Sequence, residues 1–119
     1  MPKFSFTKSA RLLKSADYNK HKQRASHAAT KYILMLIAKS LRNQSRLGIT
    51  ISTKIDKSAV RRNRFKRVVR EWFRTRRLGF ERALDISVIA RSGVCELENE
   101  EIIEELEKAI KRYLKIAPR

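Results

Sequence analysis

The clearest periodic signal in the 119-residue chain lies between Ser58 and Arg77, SAVRRNRFKRVVREWFRTRR. Wound at about 100° per residue, this stretch separates into two faces. Phe65, Val68, Val69, Trp72 and Phe73 gather on one side, and Asn63, Arg67, Arg70 and Arg74 on the other, at spacings of four, three and four. Such a stretch predicts a helix with one face for a core and one for solvent or a charged partner. Ser58 is placed to cap its start, and Gly79 to cap its end. A second helical stripe runs from Asn99 to Ile116 through Ile102, Ile103, Leu106, Ile110, Tyr113 and Leu114, with glutamates at its start and Lys111, Arg112 and Lys115 at its end. Both sets of charges complement the helix dipole.

Shorter apolar runs predict strands. Lys31–Ala38 (KYILMLIA) is a nearly continuous apolar run. Arg46–Thr53 (RLGITIST) alternates, with Leu47, Ile49 and Ile51 inward. The connector Ser40–Ser45, centred on Asn43, is short, so the two strands predict an antiparallel hairpin. Leu84–Arg91 (LDISVIAR) is a third strand, with Ile86, Val88 and Ala90 on one face. Ala25–Thr30 reads as a turn or a weak edge strand. Near the N-terminus, Phe4 and Phe6 alternate with polar residues in an extended segment, and a short helix is expected between Ser9 and Arg24. The order helix, strand, strand, helix, strand, helix predicts an α/β (α+β) two-layer sandwich, one sheet face covered by the two longer helices. At 119 residues, one domain spanning 1–119 is expected.

Charge narrows the partner. The formal net charge is +17, and seven of the twelve acids fall between Glu96 and Glu107, so residues 1–95 hold 24 Lys and Arg against 5 Asp and Glu. So large an excess opposes folding by self-repulsion and suits a polyanion, nucleic acid before a membrane surface. Nine of the basic residues lie in Ser58–Arg77. The planar Arg fork donates paired hydrogen bonds to phosphate oxygens, and the stripe from Asn63 to Arg74 spans roughly 16 Å. Arg62, Arg64 and Lys66 widen it, and Glu71 is placed to orient Arg67 and Arg74. Tyr18, Tyr32, Phe4 and Phe6 lie near basic residues, where stacking on bases competes with plain packing. Chemistry of other kinds finds no support. Cys95 is the only cysteine, His21 and His27 have no ligand spacing, and Asp17, Asp56 and Asp85 stand apart. With three glycines there is no phosphate-binding loop. No apolar run reaches the ~20 residues of a membrane span, and neither a signal segment nor a disulfide is expected, so a cytoplasmic protein is predicted.

The segment Arg61–Arg74, RRNRFKRVVREWFR, resembles the RNR signature of the bacterial ribonuclease P protein subunit. The preceding RLGITISTKIDKSAV, the later DISVIARSGVCELENEEIIEELEKAIKRY and the N-terminal RLLKSADY are similar to the family's remaining segments, so the resemblance covers nearly the whole chain. It implies a ribonuclease P protein-like sandwich with a left-handed βαβ crossover around the signature helix, against the general right-handed preference. It also implies an RNA-binding subunit of a ribonucleoprotein endoribonuclease that removes the 5′ leader from precursor tRNA. In that family the catalytic RNA carries the active site and its magnesium ions, and the protein holds no catalytic residue, metal or cofactor of its own. Carried over by motif, Lys54, Arg61, Arg62, Asn63, Arg64, Lys66, Arg67, Arg70 and Arg74 would meet RNA. Tyr18, Lys22, Ile33 and Met35 would meet the leader, in a cleft between the first helix and the sheet. Lys22 stands where the family commonly has a second aromatic. The partners implied are the ribonuclease P RNA and precursor tRNA, with no membrane and no DNA. The alternative is a stand-alone basic RNA-binding module, ribosomal-protein-like or an RNA chaperone. A DNA-binding helix-turn-helix is poorly supported, because no second helix lies a short turn from the basic one.

Overall fold

The structure is a computed structural model that describes residues 25–41 and 43–116. Four strands, β1 (Ser26–Ala29), β2 (Ile33–Lys39), β3 (Arg46–Thr50) and β4 (Leu84–Ala90), form one sheet in the order β1-β2-β4-β3. Two long helices, α1 (Ala59–Arg76) and α2 (Asn99–Ile116), pack on one face of it and against each other. Two short 3-10 turns, Arg77–Gly79 and Val94–Glu96, lead out of α1 and into α2. The expected first helix, and with it Tyr18 and Lys22, lies outside the described residues.

The weak edge strand is real, and it makes the only hairpin among the described residues. β1 pairs antiparallel with β2, from Ser26 opposite Ile37 to Ala29 opposite Leu34. The turn closes through Thr30 N–H donating to Ile33 O at 2.8 Å, and Thr30 Oγ1 accepts from Ile33 N–H at 3.2 Å. The hairpin predicted between β2 and β3 does not form. β4 lies between them, antiparallel to β2 and parallel to β3. The connector Ser40–Ser45 instead arches over the start of β4. Ser40 N–H donates to Ala83 O at 2.9 Å on one side, and Leu84 N–H donates to Ser45 Oγ at 3.0 Å on the other. A six-residue link easily spans the roughly 10 Å of two inter-strand spacings, so its length does not separate hairpin from bridge. β3, α1 and β4 thus make a βαβ unit with adjacent parallel strands.

The core fills the space between helices and sheet. Ile33, Met35 and Ile37 of β2 and Ile86, Val88 and Ala90 of β4 point into it, facing Phe65, Val69, Trp72 and Phe73 of α1 and Ile102, Leu106 and Ile110 of α2. The stripe of α2 differs from the predicted one at its margins. Ala109 is fully buried, whereas Ile103 and Leu114 are exposed, so the buried arc is narrower than six large residues would make it. β4 is buried on both faces, since its polar positions Asp85 and Ser87 are 0% and 1% exposed. Asp85 is held in a forked pair with Arg46, at 3.0 Å from Nε and 2.8 Å from Nη2, which ties β3 to β4 across their parallel register.

The glycine that a left-handed turn requires is not Gly79 but Gly93, at φ 89°. A Cβ there would meet the Tyr32 ring at 3.1 Å. α1 instead tapers into its 3-10 turn, with the Arg77 N–H donating to Phe73 O.

Candidate nucleic-acid interface

Two residues ahead of α1, Asp56 and Ser58, fix how its charged face is presented. Ser58 accepts from Arg61 N–H at 3.2 Å, the cap expected from its position. Asp56 accepts from Ser58 N–H at 2.8 Å and pairs with Arg61 Nε at 2.9 Å. The isolated Asp56 therefore anchors the helix start, where a carboxylate is favoured by the dipole. Its spacing, Asp-x-Ser before a helix, is the signal that could have revealed this.

The two predicted faces of α1 are observed. Phe65, Val68, Val69, Trp72 and Phe73 are its buried residues, while Asn63, Arg67 and Arg70 are exposed and Arg74 is half-buried beside Glu71, with which it pairs. Lys54 is exposed in the turn before the helix, and Arg62 and Lys66 are half-buried. The Arg62 Nε is enclosed without an acceptor, a donor whose desolvation cost is offset only when an anion or other acceptor arrives.

Arg64 is used differently from its neighbours. Its Nη2 donates to Cys95 O at 2.8 Å and Leu97 O at 2.9 Å, and its Nη1 to Asn99 Oδ1 at 3.1 Å. The guanidinium bolts the start of α1 to the turn that opens α2. At the other end of α1, Glu107 of α2 accepts from Trp72 Nε1 at 2.7 Å and from Arg76 Nε at 3.1 Å. α1 is thus tied near its start to the beginning of α2 and near its end to the middle of α2, which fixes how the arginine stripe is presented. Neither bolt follows from periodicity, because each joins residues more than 30 apart.

Burial raises the Cys95 thiol above its ordinary value, helped by nearby Asp56 and opposed by Arg61 and Arg64. A protonated thiol under the helix start is a poor nucleophile. Burial also pushes the Glu105 carboxyl up, but the Thr30 hydroxyl, Lys108 and the Tyr32 backbone N–H favour its ionised form, and the net shift is downward. Glu105 thereby anchors α2 at the tip of the β1–β2 hairpin. Tyr32 packs there against Gly93, with Lys31 Nζ 5.4 Å from its ring centroid. Among the described residues no group of three His, Cys, Asp or Glu is placed to hold a metal ion, and no helix is long and apolar enough to cross a membrane.

Two leader-facing assignments need correction. Ile33 and Met35 are 0% exposed and lie in the core beneath the helices. Their strand is offset by one from that expectation, and a one-residue slip exchanges the two sheet faces. The opposite face carries Leu34, Ile89 and Thr50 in one cross-strand row.

A helix that lifts a row of guanidinium groups off an α/β sandwich has the form of a nucleic-acid-binding module. The comparisons make the class specific. The Ribonuclease P family profile matches residues 6–114. The chain is 38% identical over 115 residues to the ribonuclease P protein component of Desulforapulum autotrophicum, covering 97% of each chain. It is 36% identical to that of Photobacterium profundum, covering 98% of each. Among solved structures, the Staphylococcus aureus RNase P protein superposes with a TM-score of 0.80 at 30% identity, covering 88% of this chain and 95% of that one. The Thermotoga maritima RNase P protein gives 0.74 at 31% identity, covering 86% and 96%. The chain belongs to the ribonuclease P protein family.

Proposed function

We propose that the chain is the RNA-binding subunit of a bacterial ribonuclease P and acts in the cytoplasm. It would bind the ribonuclease P RNA and help that RNA remove the 5′ leader of precursor tRNA. The observation that carries the reading is the row Asn63, Arg67, Arg70 and Arg74, the first three exposed, on a helix whose other face is committed to the core. Lys54, Arg61, Arg62 and Lys66 extend that row toward the helix start. Arg64 supports it from within and orients the helix.

We place the leader on the sheet face away from the helices, where Leu34 and Ile89 are half-buried and Thr50 is exposed. Hydrolysis would belong to the RNA and its magnesium ions, with the protein supplying position and charge neutralisation. Phosphate contacts of this kind fix register and carry little sequence information, which suits a subunit that serves many tRNA precursors.

Reconstitution tests the reading. The protein alone should cleave nothing. With its cognate RNA at low magnesium it should restore cleavage at the mature 5′ end of a precursor tRNA. A protein that neither binds that RNA nor improves its cleavage would refute the assignment.

A further inference from the structure

The arginine stripe does not stop at Arg74. Arg77 follows at a spacing of three and still has helical backbone angles, φ −60° and ψ −25°. The row from Asn63 to Arg77 is thus about 21 Å long, and its far end opens into a groove of about 390 Å³ lined by Asn43, Gln44, Ser45, Arg77, Leu78 and Phe80, among others. A neighbouring hollow of about 510 Å³ shares Asn43, Glu81, Arg82 and Ala83 and adds Lys39 and Ser40. Both are open to solvent and lined more by polar than by apolar surface.

The groove's chemistry is that of a base site. Leu78 is 52% exposed, and Phe80 is half-buried, with the Arg76 guanidinium 5.7 Å from its ring centroid. Apolar and aromatic walls backed by arginine are what unpaired bases stack on. Asn43 offers an amide donor and acceptor, and Glu81 a carboxylate acceptor for an exocyclic amine, both from exposed positions. Arg82 and Lys39 are exposed on the rim for the adjoining phosphate. The groove also sits at the C-terminal, electronegative end of α1, which disfavours a phosphate inside it and tolerates a neutral base.

We propose that this groove receives an unpaired nucleotide of the large RNA partner, base inside and phosphate on the rim, as the strand leaves the α1 stripe. The inference rests on the functional reading above. It is tested on the full chain with two sets of substitutions, Asn43→Ala with Leu78→Ser, and Arg82→Ala, all at exposed positions.

The first set should lower affinity for the ribonuclease P RNA about five- to tenfold, the effect of losing a base-edge hydrogen bond and one apolar wall, with an unchanged salt slope. Arg82→Ala should weaken binding and reduce the slope by roughly 0.7–0.9. Affinity for precursor tRNA alone should not move. Binding of the large RNA within twofold of the unsubstituted chain by both variants would overturn the groove alone, as would a loss confined to precursor tRNA. Failure of the unsubstituted chain to bind the large RNA would overturn the functional reading and the groove together.

Discussion

Replacing Arg64 by Ala separates the two uses of arginine on α1. Its motif position places it with the RNA-binding residues, but its geometry makes it an internal bolt. Two of its three bonds go to partly buried backbone carbonyls, at 2.8 and 2.9 Å, and the third to the exposed Asn99 side chain at 3.1 Å. Hydrogen bonds to a charged group contribute about 1.5–3 kcal/mol each when removal strands a buried partner. Cys95 O and Leu97 O are only partly enclosed, and the bond to Asn99 is open to water, so the total loss should be about 2–4 kcal/mol. At about 4 °C per kcal/mol for a domain of this size, the midpoint should fall by roughly 8–16 °C. Arg64→Lys should recover little, since a single ammonium cannot bridge three fixed acceptors as a planar fork does. The assay is thermal unfolding followed by circular dichroism, with urea unfolding for the free-energy difference and RNA binding measured on the same variants well below their midpoints. Arg64→Ala should then bind RNA with a nearly unchanged salt slope. The reasoning fails if Arg64→Ala unfolds with the parent protein and instead loses slope as a phosphate contact would.

Arg67→Ala and Arg70→Ala should do the opposite, keeping stability within about 0.5 kcal/mol and each reducing the salt slope of RNA binding by roughly 0.7–0.9; filter binding across a salt series measures it. Trp72→Phe should cost about 1–2 kcal/mol by removing the donor to Glu107, and Trp72→Ala about 3–5 kcal/mol by also opening the core, both read from denaturant midpoints. The lowered Glu105 carboxyl contributes stability above its unfolded-state pKa, and that contribution disappears as pH falls through the still lower folded value. Glu105→Gln should therefore lose less stability than the parent between pH 5 and 3, and parallel acid-unfolding curves would refute this. Cys95 should react with a thiol reagent at pH 8 far more slowly in the folded chain than in urea, because it is buried and its thiol is raised.

What the sequence made legible was set by local periodicity. The two helices, their bounds near Ser58 and at Asn99–Ile116, and the five buried residues of α1 follow from a 3.6-residue repeat that tertiary structure did not override. Strand pairing was not legible in the same way. The alternation in β3 is the same whether its neighbour is β2 or β4, and the decisive contacts, Ser40 to Ala83 and Ser45 to Leu84, join residues about 40 apart. The continuous apolar run of β2 hid its register, because a strand buried on both faces lacks the alternation that tells them apart. Leu36, opposite the core face, is only 1% exposed. The RNA stripe was visible as a pattern of charge, but the pattern could not separate Arg67, which faces solvent, from Arg64, which faces Cys95.

That separation explains how so basic a chain holds together. The described acids that form ion pairs are placed where a guanidinium or ammonium must be fixed. Asp56 takes Arg61 at the helix start, Glu71 takes Arg74 on the stripe, and Glu107 takes Arg76 at the helix end. Asp85 takes Arg46 inside the sheet, and Glu105 takes Lys108 at the hairpin tip. The solvent-exposed ones among them, such as Glu71 with Arg74, contribute little stability one by one, whereas the Arg46–Asp85 pair is buried. The larger effect of the exposed pairs is on geometry, since each leaves a defined remainder of positive charge pointing outward. Distributing the acids evenly over the surface would lower self-repulsion but would also neutralise the row at Arg67 and Arg70. The chain instead concentrates seven of its twelve acids between Glu96 and Glu107, in α2 and the turn before it. The excess charge is thereby left on the stripe, where a polyanion would neutralise it on binding.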